Sequence, residues 1–134
     1  AAASDALLGS LNGVFFTDAS SSKPTFANHL DASNTATDIV GFVSDDPYER
    51  FEIQADGATA AADVGLNADI VYAAGSSPDY VSKVELQTSD QKTGTAQLRI
   101  LGISKDPDNN TAGSANVNLV VLINEHQLKA TAGV

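Results

Sequence analysis

From Ala36 onward the chain keeps one rhythm, short apolar runs each stopped by turn-forming residues, and no other feature limits its possible folds as strongly. Phe51-Glu52-Ile53-Gln54, Val84-Glu85-Leu86-Gln87 and Ala96-Gln97-Leu98-Arg99-Ile100 alternate apolar with polar. A period of two sends successive side chains to opposite faces, the signature of a half-buried strand. Ile39-Val40-Gly41-Phe42-Val43 and Val117-Asn118-Leu119-Val120-Val121-Leu122-Ile123-Asn124 are more continuously apolar. Both read as buried strands, the second on both faces. Between the runs stand Ser44-Asp45-Asp46-Pro47, Asp56-Gly57, Gly75-Ser76-Ser77-Pro78 and Pro107-Asp108-Asn109-Asn110, all turn chemistry. Asp90 to Gly94 is expected to be a hairpin loop with Gly94 at positive φ. Alanine-rich Thr59 to Asn67 allows one or two helical turns, limited by Gly65. The expected fold is therefore mainly β: an antiparallel β-barrel or β-sandwich with one short helical turn and an extended N-terminal arm.

The arm is assigned to residues 1–35 and the antiparallel β domain to 36–134. Small and polar residues dominate the first thirty positions, with a single β-prone run, Val14-Phe15-Phe16-Thr17. Such a segment cannot bury enough apolar surface to fold alone. Its large residues, Leu7, Leu8, Leu11, Phe15 and Phe16, are the candidates for contact with another subunit. Deleting residues 1–17 is expected to weaken those contacts and leave the fold intact.

Composition removes several classes. The 134 residues suit one ordinary domain. There is no Cys, Met or Trp, so no disulfide framework, zinc-thiolate cluster or thiol nucleophile is available. Seventeen acidic against seven basic residues give a net charge of −10, the wrong sign for nucleic acid or an acidic membrane. The longest apolar stretches, Ile70 to Ala74 and Leu119 to Ile123, fall far short of the roughly 20 residues of a membrane span. The opening residues lack the basic region of a secretory signal, so none is expected there.

The chemistry-bearing patterns fail one by one. His29 and His126 are far apart in sequence, and His126 is expected at the surface or at a strand end. Asp106-Pro107-Asp108-Asn109-Asn110 opens like a calcium loop, but Thr111 stands where the sharp turn needs Gly and Val117 where a bidentate Glu belongs. No phosphate-cradling or nucleophile-elbow motif occurs. The carboxylates Asp45, Asp46, Glu49 and Glu52 could serve a hydrolase, yet sugar clefts are normally lined by aromatics, and this chain has three Tyr and no Trp. Asn109-Asn110-Thr111 matches a glycosylation pattern too short to carry weight. No catalytic, cofactor or metal residue is assigned.

Seven short motifs in a fixed order then carry a family likeness: Ser44-Asp-Asp-Pro47, Phe51-Glu-Ile-Gln-Ala-Asp-Gly57, Asp63-Val-Gly-Leu-Asn-Ala-Asp69, Val84-Glu-Leu86, Gln97-Leu-Arg-Ile-Leu-Gly102, Pro107-Asp-Asn109 and Val121-Leu-Ile-Asn-Glu-His-Gln127. Together they resemble virion structural proteins of tailed bacteriophages. The stretch before Asp38 lies outside the likeness. The resemblance implies a capsid decoration (cement) protein, mostly β, on the exterior of the head, a homotrimer whose partner is the major capsid protein. It brings no catalytic residue or cofactor with it. A secreted carbohydrate-binding or adhesin-type β-sandwich module is the alternative expected from the fold and the Ser/Thr-rich surface. The scarcity of Trp and Tyr speaks against it.

Overall fold

The computed structural model describes residues 5–73 and 75–129. Within them lie nine strands, every pair antiparallel, and three lone 3-10 turns. The chain divides into two compact units: Leu8–Asp45, and residues 5–7 together with 46–129.

The larger unit is built on a four-stranded sheet. Its strands are β4 (Arg50–Gln54), β5 (Asn67–Ala68), β8 (Leu98–Ile103) and β9 (Asn118–Ile123), in the order β4-β9-β8-β5. A second ladder pairs β6 (Ile70–Val71) with β7 (Glu85–Leu86). Alternation decides the core: Leu98, Ile100, Leu119, Val121 and Ile123 all turn inward, joined by Ala55, Ala68, Leu86 and Val117. Phe51 and Ile53 of β4 and Ile70 of β6 pack partly buried against them. The period slips once, at Leu101. There the register of β8 on β9 jumps between Ile100 and Gly102, so Leu101 is an inserted residue. The bulge leaves Leu101 at the surface and turns Ile103 back toward the core.

The smaller unit is a three-stranded sheet, order β2-β1-β3, of β1 (Ser10–Thr17), β2 (Pro24–Ala27) and β3 (Val40–Ser44). Val14 and Phe16, from the central strand, are its buried large side chains. Asp18 closes the β1–β2 turn by accepting from Ser20 N, Ser21 N and Ser21 Oγ. Asp38 ties the start of β3 to β1 through Thr17 N and Oγ1, at 3.0 and 2.6 Å. Gly9 is needed at the entry to β1, because a Cβ there would lie 1.8 Å from the Ser44 carbonyl oxygen.

Several expectations change. Among the described residues no sheet closes into a barrel; three separate sheets are formed. Residues 5–35 contain β1 and β2, which with β3 belong to the unit Leu8–Asp45. A deletion of residues 1–17 therefore removes the central strand of that sheet. The run Ile39 to Val43 contributes to the strand Val40–Ser44 but is not buried: Val40 is 51% exposed and Phe42 46%, because β3 is an edge strand whose face is uncovered. β9 buries alternate residues only, with Val120 and Leu122 half-buried on the far face. Asp90 to Gly94 does not close a hairpin, since β7 pairs with β6 while β8 lies between β9 and β5. Thr88–Asp90 there is a 3-10 turn, and the positive-φ glycines among the described residues are Gly9, Gly65 and Gly113. The alanine-rich stretch yields one 3-10 turn, Ala61–Asp63, held by Asp63 Oδ2 accepting from Ala60 N and ended where Gly65 turns to φ +99°.

Candidate functional site

Two places collect side chains beyond what ordinary core packing needs. The first is a buried polar hub at one end of the four-stranded sheet. Gln97 precedes β8 and is fully buried. Its Oε1 accepts from Ile70 N at 3.1 Å and its Nε2 donates to the Asp5 carbonyl at 2.8 Å. Its backbone N–H donates to Asp69 Oδ1 at 3.1 Å, and its carbonyl accepts from Asn124 N and Glu125 N. Asp69, 4% exposed, receives Lys92 Nζ on its other oxygen at 3.1 Å, and Lys92 also reaches Asp90 at 2.6 Å. The hydrogen bond to Asp90, then that to Asp69, raises the Lys92 ammonium above its ordinary range. Asn67 Nδ2 donates to the Gly94 carbonyl and Asn124 Nδ2 to that of Ala96.

This hub fastens the segment that enters the unit at residues 5–7. Leu7 N donates to the Glu125 carbonyl at 2.8 Å and Gln127 N to the Leu7 carbonyl at 2.9 Å, a one-residue parallel bridge between Leu7 and His126. His126 follows the end of β9, but it is buried at 2%, not at the surface. Its Nδ1 accepts from Leu128 N at 3.0 Å, which puts the ring proton on Nε2. Nε2 itself has no hydrogen-bond partner among the described residues, and nothing in the structure accounts for that. Most of the hub's buried donors and acceptors occupy one another, Asn67 Oδ1, Glu125 Oε2 and His126 Nε2 being the exceptions among the described residues. The chemistry is that of a clasp, in which losing one member strands its buried partners.

The second place is the outer face of the three-stranded sheet. Phe15 on β1 is directly opposite Phe26 on β2, with ring centroids 4.9 Å apart and planes at 52°. Phe26 and Phe42 stack at 5.7 Å and 24°. Phe42 pairs with Gly13 of β1 on that face. Phe26 is 72% exposed. Beside the rings runs an open groove of about 450 Å³ lined by Asn12, Gly13, Phe26, Ala27, Asn28 and Phe42.

The five contact candidates do not form one patch. Leu7 packs against the core of the larger unit. Leu8 and Leu11 are exposed, Phe15 belongs to the aromatic face, and Phe16 is buried on the opposite face. The β-bulge after Leu11 separates Leu11 from Phe15: Leu11 pairs with Val43 and lies over Gly41, on the side away from the rings. Two of the four carboxylates considered for acid–base work have local duties. Asp46 caps the turn by accepting from Tyr48 N, and Glu52 accepts from Asn118 Nδ2. Asp106 accepts from Asp108 N in an Asx-turn, and no metal-holding group of His, Asp or Glu occurs among the described residues. Gln97, Asp69 and Asn67 were missed as key residues by sequence reasoning, and so were Phe26 and Phe42.

No family model matches the chain, and no curated protein or solved structure shows significant similarity to it.

Proposed function

We propose that this chain is a capsid decoration (cement) protein of a tailed bacteriophage. In this reading a sandwich-like β body binds the exterior of the major capsid shell as a homotrimer and bridges neighbouring shell subunits, with no catalytic role. The observation that carries the reading is the ordered set of motifs between Ser44 and Gln127. Five of their polar members, Asn67, Asp69, Gln97, Asn124 and His126, belong to the hub and its clasp on residues 5–7. Cementing also suits weak individual contacts, because linking three copies makes the second and third binding events intramolecular. Light scattering on the purified protein is expected to give the mass of three chains, and the trimer is expected to bind expanded empty shells. A monomer that ignores shells in every maturation state ends the proposal.

A second reading, a carbohydrate-binding module, gains one specific observation. Three of the five Phe residues gather on one exposed face beside the amides of Asn12 and Asn28, and aromatic rings flanked by amides suit a pyranose. A glycan array without hits above background removes it.

A further inference from the structure

We propose that β3 is a docking edge for an extended segment of another protein, one with alternating apolar residues between Lys or Arg flanks. The two edges of the three-stranded sheet are unlike. β2 is four residues long, begins at Pro24 and follows Lys23; a short strand with proline and lysine is the usual guard against added strands. β3 has neither device. Val40-Gly41-Phe42-Val43-Ser44 carries no charge and no proline, and among the described residues it is laddered to β1 alone. Its outer row of N–H and C=O groups is thus open to a further strand. Val40 and Phe42, both about half exposed, point to one face, where alternate side chains of an added strand would stand beside them.

The flanks say which strand fits. Asp38 and Asp45, both exposed, bracket β3 and its preceding Ile39. Asp38 is also fixed in place, since both its oxygens accept from Thr17. Those bonds hold its carboxyl below the ordinary carboxylate range, so it is charged at neutral pH. A second copy of this chain is the wrong occupant. Antiparallel pairing of β3 with itself sets Asp38 beside Asp45, and parallel pairing in register sets each aspartate beside its own copy. Like charges directly opposite destabilise a ladder, and the chain already carries a net charge of −10. An apolar strand with basic ends meets the same edge with opposite sign at both ends. This goes beyond the decoration reading, because it names a recognition chemistry that holds whatever protein carries the strand.

The test uses the full chain and three synthetic peptides: Val and Thr alternating over the length of β3 between paired lysines, the same core between paired aspartates, and the lysine peptide with a central proline. The lysine peptide is expected to bind at least about tenfold tighter than the aspartate peptide, more weakly as salt rises. Hydrogen exchange is expected to slow at β3 amides, and the proline peptide to give no such protection. Phe42→Lys is expected to weaken binding about tenfold through edge repulsion. Val40→Lys serves the same purpose should the first variant not fold, and Val64→Lys in the larger unit is expected to change nothing. Equal affinity for lysine and aspartate flanks overturns the proposal. So does the absence of binding up to roughly 1 mM peptide, or protection confined to other strands. Protection of β3 that rises with protein concentration in the absence of peptide also overturns it, in favour of a second copy. Shell binding without peptide binding removes this inference and leaves the decoration reading standing; the reverse result removes only that reading.

Discussion

In residues 46–129 a set of large aliphatic side chains shares one interior: Leu86, Ile100, Val117 and Leu119 have no measurable exposure. In Leu8–Asp45 the arrangement is nearly inverted. That unit holds four of the five Phe residues, yet Phe16 alone among them is buried, while Phe26 and Phe42 stack on each other in the open. The larger unit also closes its polar groups inward, around Gln97 and Asp69, whereas the smaller one holds its turns with exposed carboxylates, Asp18, Asp31 and Asp38. Buried aliphatic side chains are thus concentrated in residues 46–129, while the exposed cluster of aromatic rings lies in Leu8–Asp45.

The largest effect that could break this contrast lies at Leu119, on β9 between β4 and β8. Leu119→Ala is expected to cost about 3–4 kcal/mol by leaving a cavity in a closed interior, read as a lower urea midpoint at unchanged slope. A loss below about 1 kcal/mol would mean the site collapses freely and the interior is not tightly packed. Gln97→Ala comes next, at about 2–3 kcal/mol, because it strands Ile70 N and the Asp5 carbonyl together. Its signature is faster hydrogen exchange at Leu7 N and Gln127 N, the two amides of the clasp. Unchanged exchange there would separate the hub from the clasp and refute their coupling.

Acid sharpens the contrast next. Hydrogen bonds from Ser21, Ser33 and Thr17 hold the carboxyls of Asp18, Asp31 and Asp38 below their ordinary value of 3.8. A carboxyl with a depressed folded value stabilises the fold fully above its unfolded value, and that contribution fades as pH falls through the folded value. All three lie in Leu8–Asp45, so exchange at Thr17, Ser21 and Ser33 amides is expected to quicken below about pH 3.8 before β8 and β9 amides respond. Asp38→Asn is expected to abolish that pH dependence at Thr17 alone. Simultaneous loss of protection in both units would break the comparison.

What the sequence made legible was the half-buried alternation. β4 and β8 could be placed because polar and apolar residues change places in step, and β9 because it is strongly apolar between polar ends. The smaller unit was hidden for a physical reason. Pro24-Thr25-Phe26-Ala27 has no strand pattern of its own and becomes β2 only by pairing with β1 in the register Phe15 to Phe26. Which face of β3 is covered is a tertiary outcome that its uniformly apolar run does not encode, so Phe42 read as core. Gln97 was hidden by its own pattern: Ala96-Gln97-Leu98 looks like alternation, but all three are buried. The available signal was the recurrence of amides and carboxylates at strand ends, at Asn67, Asp69, Gln97 and Asn124. Their partners, distant in sequence, could not be read from it.

The smallest expected change in stability belongs to Phe26, and it tests the contrast most directly. At 72% exposure this ring gains little from burial, and an aromatic contact at a wet surface stands at the low end of the roughly 0.5–1.5 kcal/mol such pairs contribute. Phe26→Ala is therefore expected to move the unfolding free energy by less than about 1 kcal/mol, well under the cost of Leu119→Ala. Removing the ring uncovers Phe15 and Phe42 on one side, but it leaves the β1–β2 ladder intact, since that ladder uses backbone groups alone. Binding should respond in the opposite order. If the outer face is kept open for a partner, Phe26→Ala weakens shell binding strongly while Leu119→Ala, in protein that still folds, leaves it near the original level. A Phe26 variant that unfolds as readily as the Leu119 variant would show that the aromatic face holds its own unit together, and the division between structural and available side chains would fall.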